Sequence, residues 1–156
     1  MKSKMLRFLA CWGICLGAGL LGMIFTSPAI PGWYASLVKP SFNPPNWIFA
    51  PVWNLLYTMM AAALFIVSGT KSSRERSLAV YTFAGQLSLN AAWSAVFFGA
   101  QSPLGGLVVI ILLWLAILLT IQRFRPISRY AAWLLVPYLL WVSFASVLNF
   151  FLWRLN

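Results

Sequence analysis

Five apolar runs, at about 8–27, 47–68, 78–100, 104–122 and 131–153, occupy most of the chain and are separated by short polar connections. A helix needs roughly 20 apolar residues to cross a hydrocarbon layer of ~30 Å, so each run is long enough to span a bilayer. In lipid every backbone N–H and C=O must be paired internally, which leaves only helices or a closed barrel. The runs are continuously apolar and do not alternate over ten-residue strands, so helices are expected. The expected fold is therefore an all-α integral membrane protein, one domain over 1–156, built as a bundle of five transmembrane helices. Composition agrees: 62% of the 156 residues are hydrophobic and 8% charged, whereas a soluble domain carries about 25% charged residues.

The charges sort by connection. Lys2, Lys4 and Arg7 precede the first run, Lys71, Arg74 and Arg76 lie in the second connection, and Arg123, Arg125 and Arg129 in the fourth. These nine fall on one side, and only Lys39 and Arg154 fall on the other. By the positive-inside rule the N-terminus is cytoplasmic and the C-terminus outside, in a bacterial inner or plasma membrane. The net charge of +10 thus reads as topology and as contact with anionic membrane lipid, not as a nucleic-acid surface. The basic start also resembles a signal peptide, but the apolar run is too long for one, so a first helix is expected. Cys11 and Cys15 share a helix face and act as small apolar fillers. With no His and no further Cys they cannot complete a zinc site, and no metal or cofactor is expected.

The single acid, Glu75, lies among the cations of the second connection, and the spans contain no Asp, Glu or His. A carboxylate pair, a Ser-His-Asp triad and a hydrolytic metal centre are excluded for want of parts. Proton-coupled transport, which usually uses an intramembrane ionisable relay, is disfavoured for the same reason. What the spans do hold is uncharged polar and aromatic. Gln86, Asn90, Trp93, Ser94 and Phe97 form one stripe on the third helix. Trp53, Asn54 and Tyr57 lie on the second, and Tyr138, Trp141, Ala145, Leu148 and Asn149 on the fifth. Amides in hydrocarbon seek partners, so these faces should turn inward, either as interhelical glue or as the wall of a ligand pocket. Nine Trp exceed what two interfacial belts need. Trp12, Trp33, Trp47, Trp133 and Trp153 suit the belts, while Trp53, Trp93 and Trp141 sit deeper and favour a flat, conjugated guest.

The first connection, 28–46, carries Pro28, Pro31, Pro40, Pro44 and Pro45, with Pro51 just beyond, interleaved with Trp33, Tyr34, Phe42 and Trp47. Prolines fix φ and remove donors, so this segment is expected to be ordered, non-helical and folded over the outer mouth of the bundle. Ala91, Ala95 and Gly99 form a ridge of small residues on the third helix, suited to close packing within the chain or to a dimer interface.

These residues also carry a family resemblance. Trp33-Tyr34-x-x-Leu37-x-Lys39-Pro40-x-Phe42-x-Pro44-Pro45 runs into Trp47-x-Phe49-x-Pro51-Val52-Trp53-x-x-Leu56-Tyr57. Gln86-Leu-x-Leu-Asn90-x-x-Trp93-Ser94-x-x-Phe97-Phe98 and Pro137-Tyr138-x-x-Trp141-x-x-Phe144-Ala145-x-x-Leu148-Asn149 follow, ending at Trp153. The pattern resembles the tryptophan-rich sensory protein/translocator protein family, once called peripheral benzodiazepine receptors, over nearly the whole chain. The resemblance implies a homodimer of five-helix bundles that binds porphyrin or haem, and synthetic isoquinoline carboxamides or benzodiazepines. It implies a ligand pocket lined by Tyr34, Pro44, Phe49, Trp53, Tyr57, Asn90, Trp93, Ser94, Phe97, Trp141, Ala145 and Leu148. The expected function is that of a receptor or carrier in tetrapyrrole sensing, transport or homeostasis. The alternatives are light-dependent porphyrin breakdown, with Trp141 and Trp53 as donors, and sterol or lipid transport. The sterol motif of the animal members asks for Tyr where this chain has Phe150, which favours the tetrapyrrole.

Overall fold

The computed structural model describes residues 2–156, and among them only helices and their connections occur. The rods are α1 (Lys2–Ala29), α2 (Asn46–Ser68), α3 (Arg74–Ser94), α4 (Pro103–Phe124), and a fifth rod broken into α5 (Arg129–Leu134) and α6 (Val136–Leu155). Serine side chains mark the starts. Ser73 accepts from Arg76 N, Ser102 from Gly105 N and Ser128 from Ala131 N, each satisfying a donor that the first helical turn leaves unpaired. Pro137 has no N–H to return to Trp133, and the fifth rod breaks beside it.

α1 packs on α2 and α3, α3 on α4, α4 on α6, and α5 closes the ring against α2. This alternation gathers the start of α1, the α2–α3 connection and the α4–α5 connection at one end, which carries nine of the eleven cations. Four rods are long and apolar enough to cross a membrane: Ser3–Tyr34, Asn46–Ser68, Pro103–Phe124 and Arg129–Leu155. The α3 rod, expected from its apolar run to span as well, falls short of that hydropathy. Thr82, Gln86, Ser88, Asn90 and Ser94 lower it, and Gln86 and Asn90 are buried at 1% and 3% exposure, turned into the bundle.

The proline-rich connection is shorter than the sequence suggests. Helix runs on through Pro28, and a π-helical turn follows over Ile30–Tyr34. The non-helical stretch is confined to about 37–45. A π turn spaces its bonds five residues apart, which lets the helix absorb the donors missing at Pro28 and Pro31 without stopping. A second π turn, Ala95–Gly99, ends the α3 rod. The two turns pack on each other, with Trp33 5.4 Å from Phe97 and Tyr34 5.7 Å from Phe98 between ring centroids.

The small-residue ridge meets this packing. A Cβ on Gly99 would lie 2.8 Å from Phe25 Cδ1 of α1, so that end of the Ala91–Ala95–Gly99 ridge is taken up within the chain.

Candidate ligand-binding site

A cavity of about 440 Å³ lies between α1, α2, the α3 rod and α6, at the end that holds both π turns. Ten of the twelve residues expected at a pocket line it: Tyr34, Phe49, Trp53, Tyr57, Asn90, Trp93, Ser94, Phe97, Ala145 and Leu148. Trp53 and Trp93 each stack on the next aromatic ring along their helix, Tyr57 at 5.5 Å and Phe97 at 5.3 Å, so two stacked pairs line the void.

Pro44 and Trp141 are not among the lining residues. Trp141 packs behind Phe49 and beside Phe144, at 6.0 and 5.5 Å between centroids, so Phe49 is the ring that faces the void. The indole Nε1 of Trp141 is buried without a partner. Pro44 instead takes part in the connection, its carbonyl accepting from Asn43 Nδ2 at 3.0 Å.

The amides divide between the two roles that the sequence left open, except Gln86, whose side-chain amide is buried without a hydrogen-bond partner and does not line the cavity. Asn90 is an interhelical clamp: Tyr57 OH donates to its Oδ1 at 2.7 Å, and its Nδ2 donates to Tyr138 OH at 3.0 Å, joining α2, α3 and α6. Asn149 is a second clamp. It accepts from Trp93 Nε1 at 3.1 Å and donates to Pro103 O at 2.7 Å, fixing the Trp93 ring as a wall. Trp114 Nε1 donates to Ser143 Oγ at 2.8 Å and ties α4 to α6 well away from the cavity. By contrast Asn46 and Asn54 are exposed along one edge of the cavity.

The contribution of α1 is not visible in any motif. Leu16, Leu20, Met23, Thr26 and Ser27 of α1, with Ile30 at the start of the π turn that follows, all line the void. The one signal was Gly19 and Gly22, where α1 approaches its neighbours closely. A Cβ would lie 2.5 Å from Tyr57 Cε2 at the first and 2.8 Å from Ser94 Oγ at the second. On this side the wall is one residue thick. Leu20 and Met23 line the cavity and are also 61% and 55% exposed, and Ala50 and Asn54, which line it from α2, are exposed as well. The α3 and α6 sides are closed by Asn90, Phe97, Leu148 and Asn149, all buried.

Polar contacts pin the stretch beyond the first π turn. Tyr34 OH donates to Asn43 Oδ1 at 3.0 Å, and Asn156 holds both Val38 N and Val38 O, at 2.9 and 3.1 Å. Lys39 Nζ donates to Ala35 O and Leu37 O, each at 3.1 Å, and lies 4.9 Å from the Tyr34 ring centroid. Its ammonium closes the end of the first rod and is not directed at the cavity.

The TspO/MBR family model matches residues 11–154. The tryptophan-rich protein TspO of Chlorobaculum tepidum is 51% identical over all of this chain and 99% of that protein. The protein of the same name from Archaeoglobus fulgidus is 43% identical over 98% of this chain and 99% of its own length. The translocator protein of Homo sapiens is 41% identical over 80% of this chain and 75% of its own. With a ring-lined cavity inside an apolar helical bundle and these matches across its length, the chain belongs to the TspO/MBR family.

Proposed function

We propose that the protein binds porphyrin- or haem-type tetrapyrroles in this cavity and acts as a membrane receptor or carrier in their sensing, transport or homeostasis. The observation that carries the reading is the two stacked ring pairs, Trp53–Tyr57 and Trp93–Phe97, which line one void from separate helices. Its volume falls within the range of about 300–1,000 Å³ usual for small-molecule sites. A conjugated macrocycle gains both apolar burial and ring contact there. Synthetic isoquinoline carboxamides and benzodiazepines, which are flat and apolar, fit by the same chemistry.

The guest enters from the bilayer between α1 and α2, where the wall is thin and Asn46, Asn54 and Ser27 offer polar contacts at the rim. The pinned stretch 37–45 serves as a lid over the adjoining end. All the lining residues come from one chain, so a homodimer would hold one cavity per protomer. The N-terminus faces the cytoplasm in this reading, which the cation asymmetry supports.

Titrating protoporphyrin IX against intrinsic fluorescence tests the reading. The Trp53→Ala/Trp93→Ala variant should lose at least about tenfold in affinity, roughly 1.4 kcal/mol. Unaltered affinity would sink the assignment. Light-dependent porphyrin breakdown would use Trp53 at the wall as donor, with Trp141 behind Phe49. Porphyrin loss under illumination no faster than in detergent alone removes that activity.

A further inference from the structure

Outside the cavity, the least satisfied charged group is Arg7, near the start of α1. Its guanidinium lies 4.5 Å from the Phe65 ring centroid, and its Nη2 sits against Gly69, where a Cβ would be 2.6 Å away. Its Nε is buried with no hydrogen-bond partner. A guanidinium held partly out of water needs an anion or a set of acceptors, because its desolvation is otherwise uncompensated. This chain cannot supply the anion. Its one acid, Glu75, is fully exposed and is bonded to Ser73 and to backbone at the α3 start.

The surroundings are cationic and hydroxylic. Lys4 lies one turn before Arg7 on α1, and Lys71 belongs to the connection that begins at Gly69. Arg76 approaches the same connection from α3, donating to Thr70 O at 3.0 Å and to Ser72 Oγ at 3.4 Å. The nearby apolar surface is open, with Met5, Leu6 and Leu9 at 62%, 71% and 49% exposure. A group that supplies a phosphate oxygen to Arg7 and acyl chains to that surface satisfies both halves of the site at once.

We propose that Arg7, with Lys4 and Lys71, forms a specific site for the phosphodiester of an anionic membrane lipid, in the leaflet that meets the cationic end of the bundle. The Arg7 fork grips the phosphate, the two lysines supply charge, and the acyl chains lie along the outer face of α1. The site is separate from the cavity and does not depend on tetrapyrrole binding.

The experiment is native mass spectrometry of the full chain with phosphatidylglycerol or phosphatidylcholine, with inorganic phosphate as a third arm. Wild type should retain phosphatidylglycerol in preference to phosphatidylcholine, and Arg7→Gln should weaken that retention roughly tenfold. Arg125→Gln, which removes the same charge at the same end, should change it less than about twofold. Arg7→Met keeps an apolar stem on Phe65 and provides a second neutralised form if Arg7→Gln does not fold. Equal loss in Arg7→Gln and Arg125→Gln would overturn the proposal in favour of a diffuse field. Retention unchanged in both Arg7 variants would overturn it outright. Inorganic phosphate bound as firmly as the lipid would overturn the lipid assignment.

Discussion

The two ends of the bundle solve the same packing problem in opposite ways. At the cationic end the rods are α-helical apart from the break beside Pro137, and the interior is filled mostly by small and branched side chains, with one stacked ring pair, Phe83 and Phe124. Cys15, Met60, Ala61, Ala63, Val67, Ala79, Ile117, Phe124, Ala131 and Leu135 are all fully buried. At the other end two helices pass through π turns, the interior is made of rings, and a cavity remains. Small residues let helices meet along their backbones, whereas rings hold them apart and leave gaps between flat faces. One bundle therefore has a rigid base and a hollow head, with the Tyr57–Asn90–Tyr138 clamp at the boundary.

This contrast can be broken by adding volume at each end. Ala61→Leu, in the filled end, should cost about 1–3 kcal/mol of stability and lower the melting temperature in detergent. Ala145→Leu, on the cavity wall, should cost less than about 1 kcal/mol while weakening porphyrin binding, because the void has room for the added carbons. Equal destabilisation by the two would mean that the hollow end is as tightly packed as the base.

The clamp comes next in size. Asn90→Ala leaves two tyrosine hydroxyls without their partner and should destabilise by about 1–2 kcal/mol, read by thermal unfolding. Tyr57→Phe removes only one of the bonds and should cost about 1 kcal/mol or less. A Tyr57→Phe loss as large as that of Asn90→Ala would show that the two bonds do not act separately.

The outer face of α1 should tolerate change best. No atom lies within 4 Å of a Cβ built on Gly13 or Gly17, so Gly17→Ala should stabilise by up to about 1 kcal/mol through helix propensity. A loss instead would reveal a partner helix on that face. The smallest effect belongs to Glu75. The backbone at the α3 start and the Ser73 hydroxyl hold its carboxyl below its ordinary value of 4.5. Its contribution is therefore full above that ordinary value and lost as pH falls through the lowered one. Glu75→Gln should remove this small acid-side slope from the melting temperature and leave neutral pH unaffected.

The apolar runs and the cation asymmetry were legible as helices and as an alternating bundle because hydrocarbon leaves the backbone no other way to pair. The inward stripe of α3 was legible because amides at helical spacing cannot face lipid without cost. Ten cavity residues were legible through the family pattern, all of them aromatic, polar or next to such residues. Trp141 does not line the void, because spacing shows which face of α6 it shares and not that Phe49 stands in front of it. The extent of the first helix was misjudged because proline rules describe α-helical hydrogen bonding, and a π turn changes that bonding.

The sequence by itself determined the solvent, the number of rods, the segregation of charge and the lack of acid–base machinery. Those follow from local composition, which each segment carries wherever it packs. Only the tertiary structure decided that Asn90 and Asn149 hold helices together, that Lys39 closes the end of the first rod, and that α1 forms a thin wall of the cavity. These depend on which atoms from distant segments meet. The anion that Arg7 lacks became apparent for the same reason: composition counts one acid, and only the fold shows that it lies elsewhere.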